Sequence, residues 1–313
     1  MSTIRVQVAG LLTTVQDLGR PGFGPDAVSP SGAADPVSLR LGNRLVNNDE
    51  SAAGLEMTLL GGTFIFPEGA ILAVTGSDFG AILDDVPLEL GTSAEVLPGQ
   101  MVRLGATSSG ARCYLCVQGG IAVRPFLGSA STHLLSGLGG FEGRPLRKAD
   151  VVEVGPATKT FRKRTIAPQA WENLSRRKVL RVTPGPQVDW FSESSQDSFY
   201  AGTYRVGEQS NRMGLRLEGP AVSQRDSSQM ITEGVSLGAV QVPTAGSPII
   251  LFVEQQTTGG YPKIANVISA DLHRLGQLRP RDEIRFERVM FDTARSLLIE
   301  QEKLLMSGEL ILE

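Results

Sequence analysis

The segment Gln256-Thr257-Thr258-Gly259-Gly260-Tyr261-Pro262 places three neutral hydrogen-bonding side chains directly before paired glycines. Amides and hydroxyls donate and accept, which suits a carbonyl, an amide or an oxyanion. Paired glycines let a backbone approach another surface closely. The apolar run from Ile249 to Val253 leads into the segment, so a strand delivers it. The same residues also fit a Gly-Gly turn between strands.

Further constellations share this polar character. Asp17 and Arg20 bracket Gly19 in Thr14-Val15-Gln16-Asp17-Leu18-Gly19-Arg20-Pro21-Gly22. The arginine fork can bind a carboxylate or phosphate, and the aspartate can orient it or exchange a proton. An ion pair that stiffens a turn fits equally well. Ser29 and Ser31 lead through Gly32 into Asp35-Pro36, the start of a helix. Free N–H groups there favour anions, while Asp35 itself reads as the N-cap. Asn211-Arg212 puts a cation in a loop, and Gln241 ends a strand before Pro243. Gln118-Gly119-Gly120-Ile121, followed by residues 128–132, looks like a counterpart of the Gly259-Gly260 element. The candidate catalytic residues are therefore Asp17, Arg20 and Arg212. The candidate substrate-binding residues are Ser29, Ser31, Asn211, Gln241, Gln256, Thr257, Thr258, Gly259, Gly260 and Tyr261.

Other chemistries lack their residues. No G-x-x-x-x-G-K-[ST] loop is present, Glu142 breaks a G-x-G-x-x-G, and no G-x-S-x-G elbow occurs. The two histidines, His133 and His273, do not make a transition-metal site unaided. Cys113 and Cys116 fall on opposite faces of one strand, which suits packing better than ligation.

The elements that must position these groups are mostly strands. Short apolar runs, at residues 63–66, 70–74, 114–117, 179–182 and 249–253, alternate with turn residues drawn from 36 glycines and 18 prolines. Three alternating segments, 99–104, 149–154 and 281–286, follow a proline or a basic pair and read as equivalent half-buried strands closing barrel-like sheets. Helices are few: one after Asp35 with Val37, Leu41 and Leu45 on one face, one or two turns near Ser269 to Leu275, and a C-terminal helix over residues 290–306. The C-terminal helix sets Ala294, Leu297, Leu298, Leu304 and Leu305 near one face. Between Pro156 and Lys178 the chain turns basic and loses apolar alternation, marking a connection whose Phe161-Arg162-Lys163-Arg164 run reads as solvated surface. The boundaries expected are a β-domain over 1–165, a second over 178–288 and a C-terminal helix over 289–313. A net charge of −3 over 313 residues disfavours nucleic acid or anionic membrane as partner. No apolar run is long enough to span a bilayer and no leader pattern opens the chain, so the expected location is the cytoplasm.

Taken together, the motifs resemble the biotin-dependent carboxyltransferase family. That family includes the carboxyltransferase domain of urea carboxylase, the proteins called allophanate hydrolase subunit 2, and the stand-alone C subunits of 5-oxoprolinase. The resemblance is carried by TVQDLGRPG (14–22), VSPSGAAD (28–35), SLRLGNRLVNN (38–48), GLE (54–56), NRMGLRLEGP (211–220), EGVSLGAVQVP (233–243), QTTGGYPKIANVISADL (256–272) and QLRPRDEIRF (277–286). It implies a mainly β protein of two cyclophilin-like β-barrel domains with few short helices, a C-terminal helix and a cleft between the domains. It implies one component of an ATP-dependent 5-oxoprolinase, active in complex with proteins like the A and B subunits of that enzyme, binding a small amide or lactam in that cleft. ATP then enters through the complex. The alternatives are a biotin-dependent carboxyltransferase acting on urea or another small amide, or a non-catalytic partner of a kinase inhibitor that is similar to the B subunit. Ala130 stands where the family commonly has arginine, and Glu254-Gln255 where it often has Asp-Arg. No biotin-carrier motif occurs in the chain, so biotin would arrive on another protein.

Overall fold

The computed structural model describes residues 2–157, 160–168, 178–225 and 230–313. Residues 169–177 of the expected connection lie outside the described residues. Two compact units emerge. One comprises residues 1–20, 31–174 and 305–313, the other residues 21–30 and 175–304. The loop after Arg20 thus belongs to the second unit, and the last residues belong to the first.

The first unit is built on two large antiparallel sheets. In spatial order the six-stranded sheet runs Val151–Val154, Ser2–Val8, Thr63–Ile65, Met101–Arg103, Ile82–Leu83, Val86–Pro87. The five-stranded sheet runs Thr13–Gln16, Gly54–Thr58, Arg112–Val117, Ala70–Gly76, Ser93–Val96. Alternation aims Ile4, Val6, Phe64, Val102 and Val152 into a core that also holds Leu55, Met57, Leu72, Val74, Cys113 and Leu115. Arg112–Val117 is buried along its whole length because it is covered on both faces. Cys113 points into the core cluster, whereas Cys116 Sγ reaches Leu39 O at 3.7 Å on the helix behind. Burial pushes the Cys113 thiol well up and the Cys116 thiol to about 12, so both pack as small apolar groups.

That helix, α1, spans Pro36–Leu45. Asp35 caps it by accepting from Ser38 N–H at 2.9 Å and Ser38 Oγ at 2.6 Å, with Pro36 opening the first turn. Val37, Leu41 and Leu45 are buried, as their spacing predicts. Gly42 allows the close approach to Cys116 Sγ, which would lie 2.6 Å from a Cβ there.

The second unit is a closed seven-stranded barrel. Its order is Val179–Pro184, Lys263–Val267, Ala239–Gln241, Ile249–Leu251, Gly214–Glu218, Tyr204–Val206 and Glu283–Arg288. Parallel pairing of Val179–Pro184 with Glu283–Arg288 closes it. Helix α2, Glu193–Ala201, is capped by Ser192, which accepts from Ser195 N–H. It seats Phe199 against Phe286, with ring centroids 4.5 Å apart. Helix α3 is the short turn Leu272–Leu275, and α4 spans Phe291–Met306. The mainly β expectation, with few helices and a helix near the C-terminus, holds.

The three similar segments share one device. Gly99, Ala149 and Arg281 all adopt positive φ. Each sits in a turn closed by an i to i+3 hydrogen bond: Gln100 N–H to Leu97 O, Asp150 N–H to Arg147 O, and Asp282 N–H to Arg279 O. The side chain at the fourth position accepts back from the first N–H, at 2.7 Å for Gln100, 2.7 Å for Asp150 and 2.8 Å for Asp282. Each turn launches a strand.

Two details differ from the sequence reading. Of the apolar residues on α4 only Leu305 is buried. Its neighbours Ala294, Leu297, Leu298 and Leu304 are half-buried, so the helix is secured at its end rather than along its face. The basic run at 161–164 is only partly solvated. Arg164 donates to Asn47 Oδ1 and pairs with Glu313, while Arg162 and Lys163 stay exposed. Ile311–Leu312 pairs with Thr165–Ile166, which ties the C-terminal residues into the first unit.

Candidate functional site

In the first unit the structure brings Asp17, Arg20 and Ser31 together on the loop at residues 126–132. One Asp17 carboxylate oxygen accepts from Gly19 N–H at 2.7 Å, Ser129 Oγ at 2.6 Å and Ser131 Oγ at 2.5 Å. The other accepts from Ala130 N–H at 2.6 Å. Three donors saturate the first oxygen, since each carboxylate oxygen offers about two lone pairs. Asp17 N–H donates to Ser131 Oγ at 3.0 Å, so the two loops are latched from both sides.

Arg20 is 2 % exposed. Its Nε donates to Phe126 O at 3.3 Å, its Nη2 donates to Ser131 O, and its guanidinium lies 5.5 Å from the Phe126 ring centroid. Gly139, at positive φ, admits this packing, because a Cβ there would overlap Ser131 O and come within 2.8 Å of Arg20 Nη2. Ser31 Oγ donates to Thr132 O at 2.7 Å. Behind the Ser31 loop, Glu56 accepts from Ala34 N–H and from Tyr114 OH, both at 2.7 Å. The same Tyr114 oxygen accepts from Asp35 N–H at 2.7 Å. Burial, then the nearby Glu56 charge, pushes the Tyr114 hydroxyl well above its ordinary range, which keeps it a donor.

In the second unit Arg212 forms a buried ion pair with Glu254, and Glu254 N–H donates to Arg212 O at 2.8 Å. Ser29 Oγ donates to Val253 O at 3.2 Å beside it. Asn211 is exposed and closes its own turn by accepting from Met213 N–H at 2.8 Å. Arg212 thus anchors the loop to the segment before Gln256.

The remaining candidates gather on another part of the barrel. Gln241 is 1 % exposed, and its Nε2 makes no hydrogen bond. A Cβ built on Gly259 would overlap that Nε2 and lie 3.3 Å from Gln256 Nε2. Both amide groups therefore converge on the Gly259 α-carbon, so Gly259 serves close approach rather than a positive φ. Gly259 stands opposite Glu233 in a two-stranded antiparallel sheet, with Thr258 opposite Gly234. Glu233 pairs with Lys263 and accepts from Gln187 Nε2 at 2.9 Å. Lys263 in turn stands opposite Gln241 in the barrel. Gln241, Lys263, Glu233 and Gly259 thus form a ring in which each member faces the next. Thr257 O accepts from Val235 N–H at 3.0 Å, while Gln256, Thr258, Gly260 and Tyr261 are exposed.

Lys263 and Glu233 were not singled out by sequence reasoning. A lysine after a proline at a strand start reads as solvated, and only its side-chain exposure of 4 % reveals otherwise. The hydrogen bond from Lys263, with a second from Gln187, holds the Glu233 carboxyl below its ordinary range. Among the described residues no group of three or more metal-binding side chains occurs, and no helix is long and apolar enough to cross a membrane.

Residues 26–288 match the family model of the carboxyltransferase domain, subdomain A and B. The chain belongs to this family. This carboxyltransferase-family chain is 37% identical to the C subunit of 5-oxoprolinase from Escherichia coli strain K12, over 96% of each chain. It is 32% identical to urea amidolyase of Saccharomyces cerevisiae over 96% of this chain but 17% of that one. Its fold matches the crystal structure of the K. lactis urea amidolyase with a TM-score of 0.91 and 32% identity, over 99% of this chain and 20% of that chain.

Proposed function

We propose that this chain is one component of an ATP-dependent 5-oxoprolinase, which converts 5-oxoproline, ATP and water to glutamate, and that it works in complex with proteins like the A and B subunits of that enzyme. The observation that carries the reading is the buried, unpartnered Gln241 amide beside Gly259. Leaving such a donor unpaired costs about 1–3 kcal/mol, which a ligand acceptor would recover. Gln241 Nε2 and Gln256 Nε2 would take the lactam oxygen between them and stabilise charge as it develops there. The 37% identity to the C subunit of the Escherichia coli 5-oxoprolinase, over 96% of each chain, supports the choice of reaction over carboxyl transfer.

A second reading is favoured by the K. lactis fold match. A biotin ureido carbonyl, brought in on a carrier protein, offers the same acceptor to Gln241 and Gln256. The two readings separate in one assay. The three-component mixture should release glutamate from 5-oxoproline only with ATP and only with this chain present. Equal release without the chain overturns the first reading, and capture of a biotinylated carrier with no lactam opening would put the second in its place.

A further inference from the structure

Lys263 is a buried cation whose counter-ion is half-exposed and comes from outside the barrel strands. Its side chain is 4 % exposed, whereas that of its partner Glu233 is 45 % exposed. Glu233 stands on a two-residue strand, Glu233–Gly234, paired only to the two-residue strand Thr258–Gly259. A two-stranded sheet of two residues a side has little stability of its own. By contrast, Lys263 and Gln241 sit in the closed barrel. Gln187 adds a second donor to the Glu233 oxygen at 2.9 Å, and its own Oε1 accepts from Lys263 N–H at 3.2 Å. The barrel therefore presents an ammonium and an amide N–H arranged for a carboxylate. The carboxylate that meets them comes from a weakly held strand. Across the ladder from Lys263 lies the unpartnered amide of Gln241, an acceptor-seeking group on a neighbouring position of the same sheet.

We infer that Lys263 and Gln187 form the carboxylate-binding half of the Gln241 site, that Glu233 is a built-in competitor for it, and that the ligand is a small carboxylic acid carrying an amide or lactam carbonyl. The ligand carboxylate replaces Glu233 on Lys263 while its carbonyl reaches Gln241, and the strand at 233–234 shifts with the displaced glutamate. This rests on the amide-recognition reading of Gln241 and adds to it the part of the molecule that selects an acid over a neutral amide. The roles first assigned to Arg20 and Arg212 pass to Lys263, since Arg20 donates to the Phe126 and Ser131 carbonyls and Arg212 pairs with Glu254.

The test is calorimetric titration of the full chain with L-5-oxoproline and with 2-pyrrolidinone, the same lactam without its carboxylate. The unsubstituted chain should prefer the acid. Lys263→Met should weaken L-5-oxoproline by about 10- to 100-fold, the range expected for a hydrogen bond to a charged group. It should leave 2-pyrrolidinone within about two-fold of its starting value. Glu233→Gln should tighten L-5-oxoproline several-fold by removing the competitor, and Lys263→Arg should retain part of the preference. Glu233 is half-exposed, so the Glu233→Gln arm decides the matter even if Lys263→Met fails to fold. No preference for the acid, or weaker binding in Glu233→Gln, overturns the inference. None of these readouts needs ATP or turnover. Acid-selective binding without lactam opening would therefore retain this inference and discard the oxoprolinase reading, and the converse result would do the opposite.

Discussion

Replacing Asp17 by Asn tests the latch on the first unit's loops most sharply. The substitution keeps shape and removes charge. In the native protein one oxygen serves Gly19, Ser129 and Ser131, and the other serves Ala130 N–H at 2.6 Å. If the Asn oxygen stays with the three donors, its NH₂ group confronts Ala130 N–H, donor against donor. If it turns round, the NH₂ confronts three donors instead. The first arrangement loses one charge-assisted hydrogen bond and the second loses three, so the first is preferred at about 1.5–3 kcal/mol, and its survivors weaken towards neutral strength. The two serine hydroxyls can rotate to other acceptors, which limits the damage. The total comes to about 3 kcal/mol. Native-state hydrogen exchange at Gly19 and Ala130 should accelerate roughly 100-fold if those amides open locally. Exchange within three-fold of the parent would refute the latch. A shifted pH–rate profile with unchanged exchange would move Asp17 from structure into chemistry.

Further substitutions probe the neighbouring parts. Gly259→Ala forces a Cβ onto Gln241 Nε2. It should raise KM for the lactam by about 10-fold or more while costing about 1–3 kcal/mol of stability, the usual range for overpacking. An unchanged KM in the reconstituted enzyme would separate Gly259 from the ligand. Tyr114→Phe removes the hydroxyl shared by Glu56 and Asp35 N–H, and should lower the urea-derived stability by about 1.5–3 kcal/mol with no change in lactam affinity. For Glu233 the folded pKa lies below the unfolded value of about 4.3. Its contribution is therefore fully present above about pH 4.3 and is lost as pH falls through the lower folded value. Acid unfolding of Glu233→Gln should lack that limb, and superimposable acid profiles would show that the Lys263 pair contributes nothing.

The strands were legible because their signals are local. The runs at 63–66, 114–117 and 179–182 are bounded by turn residues, and the α1 start needs only Asp35, Pro36 and Ser38. The recurrence at residues 99, 149 and 281 was visible as a pattern. Its cause, a positive-φ turn with a side chain accepting back, appears only in the backbone. Side-chain commitments were harder to read. Nothing local tells that the Asp17 carboxylate is consumed by residues 129–131, or that Glu254 takes Arg212, since both partners lie far along the chain. The Lys263–Glu233 pair was missed for the same reason, because burial of Lys263 is a property of the closed barrel. The Gly259-Gly260 segment fits a turn and a site alike, and the Gln241 amide against Gly259, which supports the site, lies on another strand.

The most direct test of the account is ATP-dependent glutamate release from 5-oxoproline by the three-component mixture, comparing this chain with its Gln241→Leu variant. The variant should fold and assemble normally but lose most of the turnover, about 100-fold, since an oxyanion-type donor is worth roughly that much or more. Turnover equal to the parent, with the variant folded and assembled, would contradict it.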